Sequence, residues 1–163
     1  MKKMLSMWEK KIKIYKNMPL HLDDESLIFE TQYWKVYPSI DQTYLGRSII
    51  FLKRENCGDL ADLKPDEIID FLLLVKKLEN ACRKAFGAVM FNWACLMNDA
   101  YQNVPPDPQV HWHCRPRYNH PVTFAGHEFE DTSFGTHYLR GTNFAVDSSV
   151  QRQIISAIKM QLS

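Results

Sequence analysis

No run of apolar residues in this chain is long enough to span a bilayer, so a transmembrane helix is excluded. Neither sign of charge dominates. Lys and Arg number 20 against 19 Asp and Glu, and the formal net charge of +1 removes the global basic field on which nucleic-acid binding depends. Cysteine is sparse and scattered at Cys57, Cys82, Cys95 and Cys114, with no C-x-x-C pair. Neither a disulfide framework nor a zinc knuckle follows from that spacing, and a reducing cytoplasm is the expected setting. The stretch from Met1 to Lys16 is basic but interrupted by charge. It lacks the apolar core and small-residue cleavage site of an export signal and is not expected to act as one. Repeats, low-complexity tracts and linkers are missing too, so the 163 residues read as one domain.

What is present is an ordinary globular composition, 45% apolar and 24% charged. Leu5, Trp8, Ile12 and Tyr15 recur at about the helical period and predict a short amphipathic helix over 4–16. Leu27 to Phe29, Tyr33 to Tyr37 and Arg47 to Lys53 predict three strands. A long helix is predicted from Pro65 to about Phe86. Proline suits its first position, acidic residues lie near its start and basic ones further on, and Gly87 closes it. Ile68, Phe71, Leu72, Val75, Leu78 and Cys82 are expected on its apolar face, and Lys64 is a poor cap. Val89 to Met97 and Val110 to Cys114 read as two more strands, separated by a loop over Asn98 to Pro108. Residues 115–143 are expected to be irregular with a short strand. A last helix runs to about Gln161, capped by Asp147 or Ser148, the latter in a capping box with Gln151. The expected architecture is α+β: a five-stranded antiparallel sheet with two main helices, a core at about 27–118, and extra helices in the flanking segments 4–16 and 119–163.

The most informative segment is Gln109-Val110-His111-Trp112-His113-Cys114-Arg115-Pro116-Arg117. Side chains alternate along a strand, so His111 and His113 share one face while Cys114 points to the other. An imidazole is nucleophilic at neutral pH, and it can attack phosphorus and leave again, dividing one displacement into two. A bare H-x-H also fits two other arrangements. One is a pair of locally bonded strand histidines; the other is a metal site completed by His120, His127, Glu128 or His137.

The segment resembles the H-φ-H-φ-H-φ-φ motif of the histidine triad family, which often continues into Pro-Arg. Pro116-Arg117 sets the register: Gln109 stands at the first position, His111 at the second and His113 at the third. A register shifted by two residues would make His113 the middle residue and breaks the Pro-Arg match. The likeness continues in Leu27-Ile28-Phe29-Glu30, in Tyr44-Leu45-Gly46-Arg47 leading into a strand, and in Asp59-Leu60-Ala61-Asp62-Leu63-Lys64-Pro65-Asp66-Glu67 at the helix entry. Asn98 stands thirteen positions before His111, where the family has an Asn or Gln that contacts phosphate. Trp112 and Pro116-Arg117-Tyr118 look closest to the bacterial diadenosine tetraphosphate hydrolase-like branch.

The resemblance implies a nucleotide hydrolase or nucleotidyl transferase acting through a nucleotidyl-histidine, with nucleotide binding or sensing without turnover as the alternative. His111 would be the nucleophile, assisted by His113 and Gln109. Asn98 and Arg117 would hold phosphate, and Ile28, Phe29, Tyr37, Ser39 and Asp41 would form the nucleoside pocket. Ser39 aligns with the family's ribose-binding acid, for which Asp41 and Gln42 are near enough to substitute. The family's glycine-rich loop before the triad strand is replaced by Asn103-Val104-Pro105-Pro106-Asp107-Pro108. No metal site and no required cofactor is implied; magnesium would arrive only with the nucleotide's phosphates. A two-fold dimer through the long helix and the strand near Val89 to Met97 is expected, with no nucleic-acid or membrane partner.

Overall fold

The structure, a computed structural model, describes residues 26–162 apart from 140 and 142. The helix predicted over 4–16 lies outside the described residues. Strands β1 (Phe29–Glu30), β2 (Trp34–Pro38), β3 (Ser48–Leu52), β4 (Met90–Ala94) and β5 (His111–Arg117) form one antiparallel sheet in the order β1-β2-β3-β5-β4. A hairpin, β6 (Val122–Phe124) and β7 (His127–Phe129), follows β5 where irregular chain with one short strand was expected. Two α-helices complete the described residues, α1 (Pro65–Phe86) and α2 (Ser148–Lys159). Neither is long and apolar enough to cross a membrane.

Helix α1 lies on the face of the sheet opposite the histidines. Phe71 stacks on Trp112 with centroids 4.7 Å apart and packs on Trp34 at 5.2 Å, while the Trp34 indole donates to the Glu67 carbonyl. Lys64 offers no cap by its side chain; instead the Glu67 carboxylate accepts its backbone N–H at 2.8 Å. Glu67 is buried and is balanced by Arg54, at 2.7 and 2.9 Å. Gly87 ends the helix in the left-handed region at φ 78°, where glycine carries no Cβ penalty. The buried face of α1 is Phe71, Leu74, Leu78, Ala81, Cys82 and Phe86. Ile68 and Leu72, expected inside, are exposed instead, because the sheet meets the helix through the stripe centred on Leu74 and Leu78. The core closes with Val150, Ile154, Ile155 and Ile158 of α2. Asp147 caps α2, accepting from the Ser149 and Val150 amides, so Ser148 does not form the predicted box with Gln151.

Two boundaries differ from expectation in ways that bear on the site. β4 stops at Ala94, and Asn98–Gln102 turns as a short 3-10 helix inside the predicted loop. β5 runs three residues beyond Cys114. Its pairing with β3 ends at Cys114, and the remainder pairs with β4 alone, so Pro116 sits where one edge is free of the ladder.

Candidate active site

The strand pairings arrange the histidine face of the sheet in rows. Lys35, Phe51 and His111 form one row and Tyr37, Ile49, His113 and Ala94 the next; the same register carried one residue past the β3–β5 ladder gives a third, Ser39, Arg47, Arg115 and Asn92. The Ser39 amide donates to the Arg47 carbonyl at 2.8 Å, which continues the register beyond β2. His111 is almost fully buried and stacks on Phe51 at 5.6 Å with 23° between planes. The His113 ring meets it edge-on at 5.0 Å.

His111 Nδ1 lies 2.8 Å from the Gln109 carbonyl oxygen. A carbonyl only accepts, so Nδ1 carries the proton and Nε2 keeps its lone pair. Burial lowers the His111 pKa, partly offset by the Gln109 carbonyl and the charge of Asp99. His113 is pushed down to about 2, first by burial and then by His111, Arg115 and Arg47. Both rings are therefore neutral at pH 7. Cys114 lies on the other face, buried, with its thiol pKa raised by burial, which makes it a poor partner for the histidines.

The predicted site residues divide. Gln109 is placed beside His111 but touches it through its backbone; its side-chain Nε2 donates to the Arg54 carbonyl at 2.9 Å and the Leu52 carbonyl at 3.4 Å. Asn98 is exposed at the start of the 3-10 helix, next to Asp99, whose charge reaches His111. Arg117 faces the interior. Its side chain is fully buried and gripped in a fork by Asp131 at 2.6 and 3.0 Å, by Asn92 at 2.7 Å and by the Ser133 carbonyl at 2.7 Å. Asp41 is engaged as well. It binds Arg47, the Thr43 amide and hydroxyl, and the Phe144 amide. Ile28, Tyr37 and Ser39 are buried and Phe29 half-buried, with Tyr37 edge-on to Phe51.

Three groups take their place only from the structure. Asp131 and Ser133 hold Arg117 from a segment with no spacing signal. Arg115 carried a signal that went unused: it occupies the last apolar position of the triad motif. Among the described residues no cluster of three or more His, Cys, Asp or Glu is placed to hold a metal ion. His120 sits by Tyr118, His127 by Phe129 and Phe144, and His137 by Tyr138.

No family model matches the chain, and no curated protein matches it. Solved structures do. A histidine triad protein of Sinorhizobium meliloti superposes with a TM-score of 0.65 at 16% identity, over 87% of this chain and 96% of that one. A histidine triad protein of Bradyrhizobium japonicum gives 0.60 at 18%, over 90% and 99%. A hypothetical histidine triad nucleotide-binding protein of Sulfolobus tokodaii gives 0.63 at 10%, over 84% and 83%. The chain is thus an α+β protein with the histidine triad fold.

Proposed function

We propose that this protein is a nucleotide hydrolase or nucleotidyl transferase of the histidine triad family, in which His111 takes up the nucleotidyl group. The observation that carries this is the 2.8 Å contact of His111 Nδ1 with the Gln109 carbonyl. It leaves Nε2 as a neutral nucleophile on the same face as a second imidazole. Nε2 attacks phosphorus, the N–P bond forms, and the bond to the leaving oxygen or nitrogen breaks. The positive charge that develops on the ring is stabilised through Nδ1–H by the Gln109 carbonyl. Water or another acceptor then displaces the imidazole. In this reading His113 and the exposed Asn98 contact the phosphoryl oxygens. The substrate class is a nucleoside phosphate ester, anhydride or phosphoramidate, with dinucleoside polyphosphates first in line. A turnover screen with those compounds and adenosine phosphoramidate, read by mass spectrometry for product and for nucleotidyl-histidine, tests this. No turnover and no adduct with any of them would sink it.

The alternative, a nucleotide-binding or sensing protein, draws on the engaged carboxylate of Asp41 and on the proline-rich segment before β5. Gln109→His separates the two. The glutamine side chain faces the Leu52 and Arg54 carbonyls, and the contact to His111 is made by backbone that the substitution keeps. We expect kcat to change by less than about tenfold, roughly 1.4 kcal/mol of barrier. Because burial lowers the His111 pKa and the neutral ring is the nucleophile, the acidic limb of kcat should lie below the ordinary imidazole value of about 6.5 in both proteins. A wild type without turnover that gains activity from this one change would favour the sensor.

A homodimer is part of the same proposal. Ile69, Leu72 and Leu73 are 58%, 61% and 63% exposed along α1. Ile69 and Leu73 line a hollow with Gln32 and Tyr33 at the turn between β1 and β2, while α1 reaches the edge strand β4 through Arg83 on Phe91 and Glu79 to the Trp93 indole. The exposed apolar stripe of α1 and the unpaired edge of β4 together suit a second copy related by a two-fold axis. Sedimentation equilibrium at micromolar concentration should give twice the 19.1 kDa chain mass, falling to the chain mass in Leu72→Lys/Leu73→Asp. A wild-type monomer would reject it.

A further inference from the structure

The third row of the site face sets two arginines side by side. Arg47 is bonded to Ser39 on one side and precedes Ser48, which is opposite Cys114; the same register continued one residue past the end of the ladder sets it against Arg115, whose charge it feels. Like charges directly opposite one another destabilise a sheet, the more so when desolvated. Here both are over nine-tenths buried, at 6% and 7% exposure. Among the described residues only Asp41 stands against them, and it pairs with Arg47 while also accepting from Thr43 and Phe144. Arg115 has no carboxylate partner among the described residues. The Tyr138 ring covers it at 4.2 Å, and its Nη1, like Arg47 Nε, finds no acceptor among the described residues. The turn that delivers Arg47 is stapled: the Gln42 amide donates to the Ser39 and Arg47 carbonyls and its oxygen accepts from Gly46. A buried, uncompensated arginine held on a rigid strand is costly to the fold, and a ligand anion would offset that cost.

We propose that Arg115 and Arg47 form an anion subsite that takes a second phosphate of the substrate. It lies one strand repeat, roughly 7 Å, from His113 on the same face. The assignment rests on the nucleotide reading for the identity of its ligand. That second phosphate has two sources: the next phosphate along a polyphosphate chain, or a phosphate on the ribose. Arg115 separates this chain from a triad strand whose corresponding position is apolar, so the subsite is a specificity feature rather than part of the nucleophilic machinery.

The test is titration calorimetry with AMP, α,β-methylene-ADP and adenosine 3′,5′-bisphosphate on wild type and Arg115→Leu. In wild type, one of the two bisphosphates should bind at least about tenfold tighter than AMP, and which one does so identifies the source. In Arg115→Leu that gain should shrink below about twofold while AMP affinity moves less than about threefold. The ligand-free variant should melt at or above wild type, because an uncompensated buried cation has been removed. A wild type that gains nothing from either second phosphate overturns the subsite, and so does a gain that survives in the variant. Arg115→Leu and Arg115→Gln both melting far below wild type would also overturn it, since the arginine would then be structural. If AMP itself does not bind, the nucleotide reading has failed separately. The subsite is then judged by inorganic pyrophosphate: a rise in Tm over chloride at equal ionic strength that Arg115→Leu abolishes supports it, and any other result rejects it.

Discussion

Turnover is expected to vanish in His111→Ala, with kcat falling by at least about a thousandfold, roughly 4 kcal/mol of barrier. The nucleophile is the group through which both displacements pass, and no neighbouring side chain can replace it. His113 has the right chemistry but lacks the setting. Its pKa is pushed down to about 2 by burial and by the positive charges of Arg115 and Arg47, and its Nδ1 meets no acceptor among the described residues that would steady an imidazolium. Cys114 faces the opposite side of the sheet, and the Cys95 thiol is pushed up to about 11 by burial. His113→Ala should therefore leave measurable turnover, because it removes a positioning contact and not the bond-forming atom. The decisive measurement is peptide mapping of the trapped nucleotidyl adduct beside single-turnover rates for both variants. An adduct on His113, or a His111→Ala enzyme that keeps a tenth of wild-type kcat, would show that the triad register is wrong. His111 is also packed on Phe51, so a thermal melt of each variant must accompany the kinetics; lost activity counts only in protein that still unfolds cooperatively.

What the sequence disclosed and what it hid follow from the range of the interactions involved. Helix α1 was legible to the residue because its ends are local devices: Pro65 begins it and Gly87, at positive φ, stops it. The shared face of His111 and His113 was equally legible, since strand alternation is local geometry. Which stripe of α1 faces the sheet was not. Ile68 and Leu72 satisfy the helical period as well as Leu74 does, and only the position of Trp34 and Trp112 decides among them. The polar partners were the least legible. The amide that engages Asp41 comes from Phe144, 103 positions away, and the carboxylate that grips Arg117 comes from Asp131, 14 positions on in a stretch without periodicity. Gln109 shows a subtler limit. Its place beside His111 was implied by the likeness to the triad motif, but the atom that reaches His111 is the backbone carbonyl, which every residue possesses.

The Arg117–Asp131 pair carries the second large effect, and it falls on stability rather than on catalysis. Both side chains are sealed from solvent, 0% and 1% exposed, and Arg117 spends its donors on Asp131, Asn92, Ser133 and Thr136. The fork ties the end of β5 to the segment after β7. Removing one partner of such a pair leaves a buried charge uncompensated, which costs about 3–5 kcal/mol. Asp131→Ala should accordingly lower Tm by about 10 °C or more in a domain of this size. Arg117→Met/Asp131→Leu should recover a large part of that loss, since no lone charge is then buried. The pH dependence has a definite sign. Burial alone would raise the Asp131 pKa, but the Arg117 hydrogen bond and charge, with the Tyr118 amide and the Ser133 hydroxyl, bring it below the ordinary carboxylate value. Its contribution to stability is therefore complete above that ordinary value, about 3.9, and is lost as pH falls through the lower folded one. Thermal melts of the three proteins across pH, together with KM for whichever of them turn over, distinguish a structural arginine from a phosphate ligand. If Asp131→Ala melts like wild type, or if the double variant regains stability while KM rises tenfold or more, then Arg117 belongs to substrate binding after all.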